Sequence, residues 1–176
     1  RARPAGSAER TDIVAREAVG RRLTPGDPMP LIVGRTGRNE RLSLGNQAGR
    51  YLVLCVFGSA ADASSRRTLE AILEHRDLFD DQKVSFYGVS VDPSDESTGR
   101  LQPALPGVRY FWDFDRAISR LLGTIATDEQ MLRPAIVVVD PQSRVHSVIR
   151  FDDNLRHVDR LIALLRSWPD PAMHAG

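Results

Sequence analysis

The 176-residue sequence holds a single cysteine, Cys55. A lone cysteine excludes an internal disulfide and any C-x-x-C redox pair. Neither sign of charge is in excess: 24 Lys and Arg stand against 23 Asp and Glu, for a formal net charge of +1. That balance gives no reason to expect nucleic acid or an anionic membrane as partner. Long apolar runs are missing as well. The longest, residues 51–57 and 135–139, are strand-sized and far short of the roughly 20 residues of a membrane span. Residues 1–8 are basic and small but lead into no apolar stretch, so no secretory signal is read there, although the chain starts at Arg1 rather than Met. The four histidines, His75, His146, His157 and His174, match no metal-ligand spacing. No metal and no cofactor are expected in this chain. One cysteine and no signal point to the cytoplasm.

What is present reads as one globular domain, with 41% hydrophobic and 27% charged residues. Residues 1–22 read either as a flexible arm or as a short helix capped by Thr11. The Pro/Gly-dense stretch 24–30 opens the compact domain, and residues 169–176 form a linker or tail. Residues 31–33 and 41–44 look like short edge strands around Gly37. The run YLVLCVF, residues 51–57, suits a strand buried on both faces of a mostly parallel sheet. After the turn GSAADA, Leu69, Ile72, Leu73 and Leu78 recur at near-helical spacing across residues 64–79. Strands are expected at 84–91, 109–111 and 135–140, and a short helix at 116–122. Residues 144–149 complete a hairpin. Residues 155–168 form an amphipathic helix with Val158, Leu161, Ile162, Leu164 and Leu165 on one face. Helices that alternate with strands predict an α/β fold in three layers, with a mixed sheet covered on both faces.

Several blocks, in order, resemble the peroxiredoxins, the alkyl hydroperoxide reductase and thiol-specific antioxidant group with a thioredoxin fold. Residues 23–28 (LTPGDP) resemble the opening segment, and 49–58 (GRYLVLCVFG) the strand before the active-site helix. Residues 86–93 (FYGVSVDP) resemble a strand and turn of that family. So do Phe111 to Asp115 with Leu121-Leu122-Gly123, and 133–140 (RPAIVVVD) with Arg144-Val145. The likeness spans residues 23–168. The strings LCVFGSAADA, FYGVSVDPSDE, YFWDFDRAISRLLG and PAMHAG are also similar to the N-terminal redoxin-like domain of bacterial proteins that continue into a 2-oxoglutarate/Fe(II) oxygenase domain. That likeness implies an oxygenase domain as partner beyond this chain. The iron ligands of such an oxygenase would lie outside residues 1–176.

The family carries P-x-x-x-T-x-x-C in the loop after its first central strand. A helix N-terminus and an arginine lower the thiol pKa there, and the threonine and arginine hold the peroxide. Counted from Phe57, the three positions are Ser59, Ala63 and Arg66. Shifted by one, Ser64 and Arg67 fall on the Thr and Cys positions. Neither count supplies a cysteine, and only Arg133, matching a late-strand arginine, survives. Ser59, Ser64 or Ser65 would have to attack as an alkoxide, with a pKa far above the ~8.5 of a thiol. Oxygen also lacks the reversible oxidation ladder of sulfur.

These residues leave two functional classes. One is a non-catalytic docking or dimerisation module with a vestigial pocket of Ser59, Ala63, Ser64, Arg66 and Arg133. The other is a thiol peroxidase acting through Cys55 or through a thiol in trans. Cys55 itself reads as a small core residue. Arg133 either lines an anion-sized pocket or pairs with Asp62 or Asp113. Asp62 reads as a helix N-cap, Asp113 and Asp115 as loop-fixing acids, and His75 and His157 as residues of polar helix faces. The aromatic cluster around Trp112 and Phe114 reads as core, or as a homodimer contact.

Overall fold

The computed structural model describes residues 22–37, 40–101, 104–125 and 130–168. The arm expected over residues 1–22, with its Thr11 cap, and the tail over 169–176 therefore lie outside the described residues, Arg22 apart. Eight strands form one sheet: β1 (Val33–Thr36), β2 (Arg41–Ser43), β3 (Tyr51–Gly58), β4 (Val84–Ser90), β5 (Ala104–Leu105), β6 (Val108–Trp112), β7 (Ala135–Val139) and β8 (Val145–Arg150). Four α-helices cover it: α1 (Ala63–Leu73), α2 (Pro93–Ser97), α3 (Ala117–Leu121) and α4 (Arg156–Ser167). The strand order is β2-β1-β6-β4-β3-β7-β8, with β5 on β6. The centre is parallel, β3 on β4 and β4 on β6, while the flanking pairs are antiparallel. This is the thioredoxin-like α/β architecture expected from the sequence.

All eight residues of β3 are buried, as a strand covered on both faces demands. Alternation then sorts its side chains. Tyr51, Val53, Cys55 and Phe57 face one core with Leu69 and Ile72 of α1 and Val158, Leu161, Ile162 and Leu165 of α4. Leu52, Leu54 and Val56 face the other core with Ile32, Leu44 and, from α3, Ile118. The hairpin of β7 and β8 pairs as expected, with Ile136 opposite Ile149.

Three elements depart most from expectation. The first strand is Val33–Thr36 rather than 31–33, because Leu31 is solvent-exposed and the chain joins the sheet only after Ile32 is buried, and it lies between β2 and β6 rather than at the expected edge. The helix expected over 64–79 stops at Leu73, and one 3-10 turn, Arg76–Leu78, carries the chain on to Phe79. The two-residue β5 has no period to be read from sequence, since it pairs only Ala104 with Arg109 and Leu105 with Val108.

Candidate functional site

The loop after β3 is where the sequence places chemistry. Gly58 ends the strand at φ +82°, a backbone angle closed to proline, whose ring fixes φ near −65°. The turn closes with Asp62 N–H on Ser59 C=O at 3.2 Å, and the Arg66 N–H on Asp62 C=O at 2.9 Å starts α1. Asp62 is the N-cap by position, yet its carboxylate makes no capping hydrogen bond. Ala63, Arg66 and Arg67 are exposed and Ser64 is half-buried. A count that starts from Gly58 puts Asp62 and Ser65 at the Thr and Cys positions of the P-x-x-x-T-x-x-C pattern. Only this count brings its last residue into the first turn of α1 facing the sheet. Ser65 is buried there, and its hydroxyl donates to Phe57 C=O at 2.7 Å. Its proton is thus committed to a backbone carbonyl.

A polar cluster missed in the sequence pins this loop. Asp95, the third residue of α2, is completely buried. One carboxylate oxygen accepts from Ala60 N–H at 2.9 Å and Ser90 Oγ at 2.7 Å, and the other from the Arg100 guanidinium at 2.9 Å. Ser59 Oγ donates to Asp92 at 2.6 Å, which with the Ser94 amide and Arg100 holds that carboxyl below the usual range. The only sequence signal was the spacing Asp92-x-x-Asp95, an N-cap followed by an acid at the third helical position.

Cys55 is not part of this site. It is fully buried in mid-strand, between Gly88 of β4 and Ile136 of β7, and burial pushes its thiol pKa up. A thiol in that state holds its proton and is a poor nucleophile. Arg133 lies two residues before β7. Its amide donates to Thr124 C=O at 2.8 Å, its side chain is exposed, and its charge is felt by Arg150 rather than by a thiolate. Asp113 uses both oxygens on α3, accepting from the amides of Ile118 at 2.9 Å and Ser119 at 2.8 Å and from Ser119 Oγ at 2.7 Å. Asp115 accepts from Ala117 N–H. Both acids fix a loop, as expected. Among the described residues no group of His, Cys, Asp and Glu is placed to hold a metal ion.

Residues 25–148, well over half of the chain, match the AhpC/TSA family model. The chain belongs to the AhpC/TSA family. Its sheet and helices superpose on AhpC of Enterococcus faecalis with a TM-score of 0.69 at 15% identity, covering 88% of this chain and 97% of that one. Peroxidoxin BcpB of Mycobacterium tuberculosis gives a TM-score of 0.67 at 16% identity, covering 84% and 99%. The bacterioferritin comigratory protein of Xanthomonas campestris, described for its alkyl peroxide reduction, gives 0.64 at 19% identity, covering 80% and 98%. At such identities the likeness is one of fold. No curated protein matches the sequence. This member of the AhpC/TSA family keeps the redoxin fold.

His157 corrects the sequence reading, which put it on a polar helix face. It is buried at 1% exposure between α1 and α4. The Asp152 amide donates to Nδ1 at 3.0 Å, so the ring proton sits on Nε2 and is donated to Thr68 Oγ1 at 2.8 Å. Phe151 stacks on the ring at 4.4 Å. Desolvation lowers the His157 pKa, although Asp152, 3.8 Å away, and Asp159 pull it back. Above about pH 6.5, the ordinary histidine value, the ring is neutral in both folded and unfolded chains. Below it the unfolded chain takes up a proton that the folded one refuses, so stability falls until the folded pKa is reached. A His157→Gln variant is expected to be less stable at pH 7.5 but to lose less of its urea midpoint between pH 7.5 and 5.5 than the wild type. Equal losses in the two proteins refute the assignment.

Proposed function

We propose that this domain is a redoxin-fold module without thiol peroxidase chemistry, serving docking or dimerisation within a larger oxygenase protein. The observation that carries the first half is the place of its one thiol. Cys55 lies in mid-strand with its pKa raised, outside the first turn of α1, where a peroxide would meet helix-dipole stabilisation. The group at that turn is a hydroxyl bonded to Phe57 C=O, and a hydroxyl has no sulfenic state to pass through. The second half rests on the likeness of residues 54–63 and 86–96 to redoxin domains that precede an oxygenase, and on a fold kept intact around the altered loop. A fold retained without its chemistry is explained by surface.

The test is peroxide consumption with dithiothreitol or thioredoxin as reductant, run on the wild type and on Cys55→Ser. Both are expected to match the rate of reductant alone. Native Cys55 is also expected to react with a thiol-labelling disulfide only as fast as the domain opens, and promptly in denaturant. Turnover that disappears in Cys55→Ser overturns the proposal in favour of a thiol oxidoreductase acting through that residue.

A further inference from the structure

A cleft of about 540 Å³ lies between α1 and residues Arg100, Leu101, Leu105 and Tyr110. Its wall is aliphatic, with Leu69 and Leu73 from α1 facing Leu101 and Leu105. Gly58, Asp62, Ser65, Cys55 and Arg133 do not line it, but Ala60, Ala61 and Arg66 do, so it opens beside the loop after β3. Two observations point to a ligand. The first is Tyr110, which is 2% exposed and lines the cleft, yet its hydroxyl makes no hydrogen bond among the described residues. Its ring is held edge-on to Phe57 at 6.2 Å. The hydroxyl is not among the buried orphaned atoms, so it opens to water at the cleft and is free to turn to a ligand oxygen there. The second is the rim. Arg66, Arg76 and Arg100 line it with a single acid, Glu70. Arg100 is committed to Asp92 and Asp95, while Arg66 and Arg76 form no ion pair among the described residues.

We infer that this cleft binds a small amphipathic monocarboxylate, its apolar body on the leucines and its head at Arg66 and Arg76. The volume lies within the range of ordinary ligand pockets, about 300–1,000 Å³. Arginine forks suit a carboxylate, and Glu70 on the same rim penalises a dianion such as a phosphate monoester. The Tyr110 hydroxyl supplies one donor for a ligand oxygen. The inference goes beyond the proposed function and does not depend on it, since no thiol takes part.

The test is a two-dimensional NMR titration of the full chain with octanoate, and in parallel with 1-octanol. Octanoate is expected to saturate with shifts at the methyls of Leu69, Leu73, Leu101 and Leu105. The Arg66→Ala/Arg76→Ala double variant, altered only at exposed positions, is expected to bind octanoate about fivefold more weakly with octanol unchanged. Tyr110→Phe is expected to lose about threefold for octanoate. Ala61→Trp, also an exposed lining position, is expected to block both probes. Absence of saturable binding overturns the inference. So do shifts confined elsewhere, octanol binding as tight as octanoate, or octanoate affinity untouched in the double variant.

Discussion

Replacing Gly107 by alanine is expected to destabilise the domain by more than about 4 kcal/mol, a loss of the size that strain or overpacking alone can produce. Gly107 joins β5 to β6 at φ +76°. A Cβ built on it falls 1.6 Å from the Phe79 carbonyl oxygen and 2.5 Å from the carbonyl carbon. That neighbour is backbone and cannot swing aside. Phe79 is buried and its ring lies 5.3 Å from Phe86, whose amide donates to Gly107 C=O at 2.9 Å. Moving Phe79 away would therefore pull on the central parallel strands β4 and β6. Gly99 separates the two causes. It also has positive φ, +66°, but nothing lies within 4 Å of its would-be Cβ. Gly99→Ala is expected to cost only the backbone term, about 1 kcal/mol. Urea unfolding of both variants checks the pair. Similar losses in the two would show that the Phe79 contact yields cheaply.

The sheet was legible because its strands are apolar for simple reasons. Residues 51–57 and 135–139 are buried on both faces, so they read as continuous runs, and the amphipathic stripe of α4 reads as its buried face. His157 shows where a hydrophobic pattern stops informing. It lies four residues before Leu161 and so falls on the buried stripe, but a polar letter there reads as surface until Thr68 and the Asp152 amide are known to satisfy it. The candidate site was legible by subtraction. The cysteine count excluded a redox pair, and the family pattern located the loop. Which serine of the first helical turn faces the sheet was not readable, because one residue of slip changes the answer and the start of α1 at Ala63 decides it. Tyr110 and the α1 cleft were invisible for another reason. Their lining comes from segments some 40 residues apart, 60–76 and 100–110, that only the fold brings together.

Asp95→Ala is expected to cost about 3–4 kcal/mol, the scale of a buried charged hydrogen-bond node broken on one side. The carboxylate is the single acceptor shared by three elements: Ala60 N–H from the loop after β3, Ser90 from the end of β4, and Arg100 beyond α2. Removing it strands the Ala60 amide away from water and leaves the Ser90 hydroxyl only the Asp92 C=O, 3.5 Å away. Arg100 keeps its contact with Asp92 at 3.2 Å and so loses less. Asparagine does not rescue the node. Both carboxylate oxygens accept, so either orientation of the amide turns its NH2 toward a donor: Arg100 in one, Ala60 N–H and Ser90 in the other. Ser90 alone can rotate out of conflict, toward Asp92 C=O. Asp95→Asn is therefore expected to retain about half of the loss, near 2 kcal/mol. The defect should also be local before it is global. Amide exchange at residues 60–66 is expected to accelerate in both variants under native conditions, because the loop and the first turn of α1 lose their anchor. Unchanged exchange there, with stability lost uniformly, would mean that the turn from Ser59 to Asp62 holds the loop unaided. If exchange does accelerate as expected, the cluster around Asp95 is what keeps the loop after β3 in one conformation.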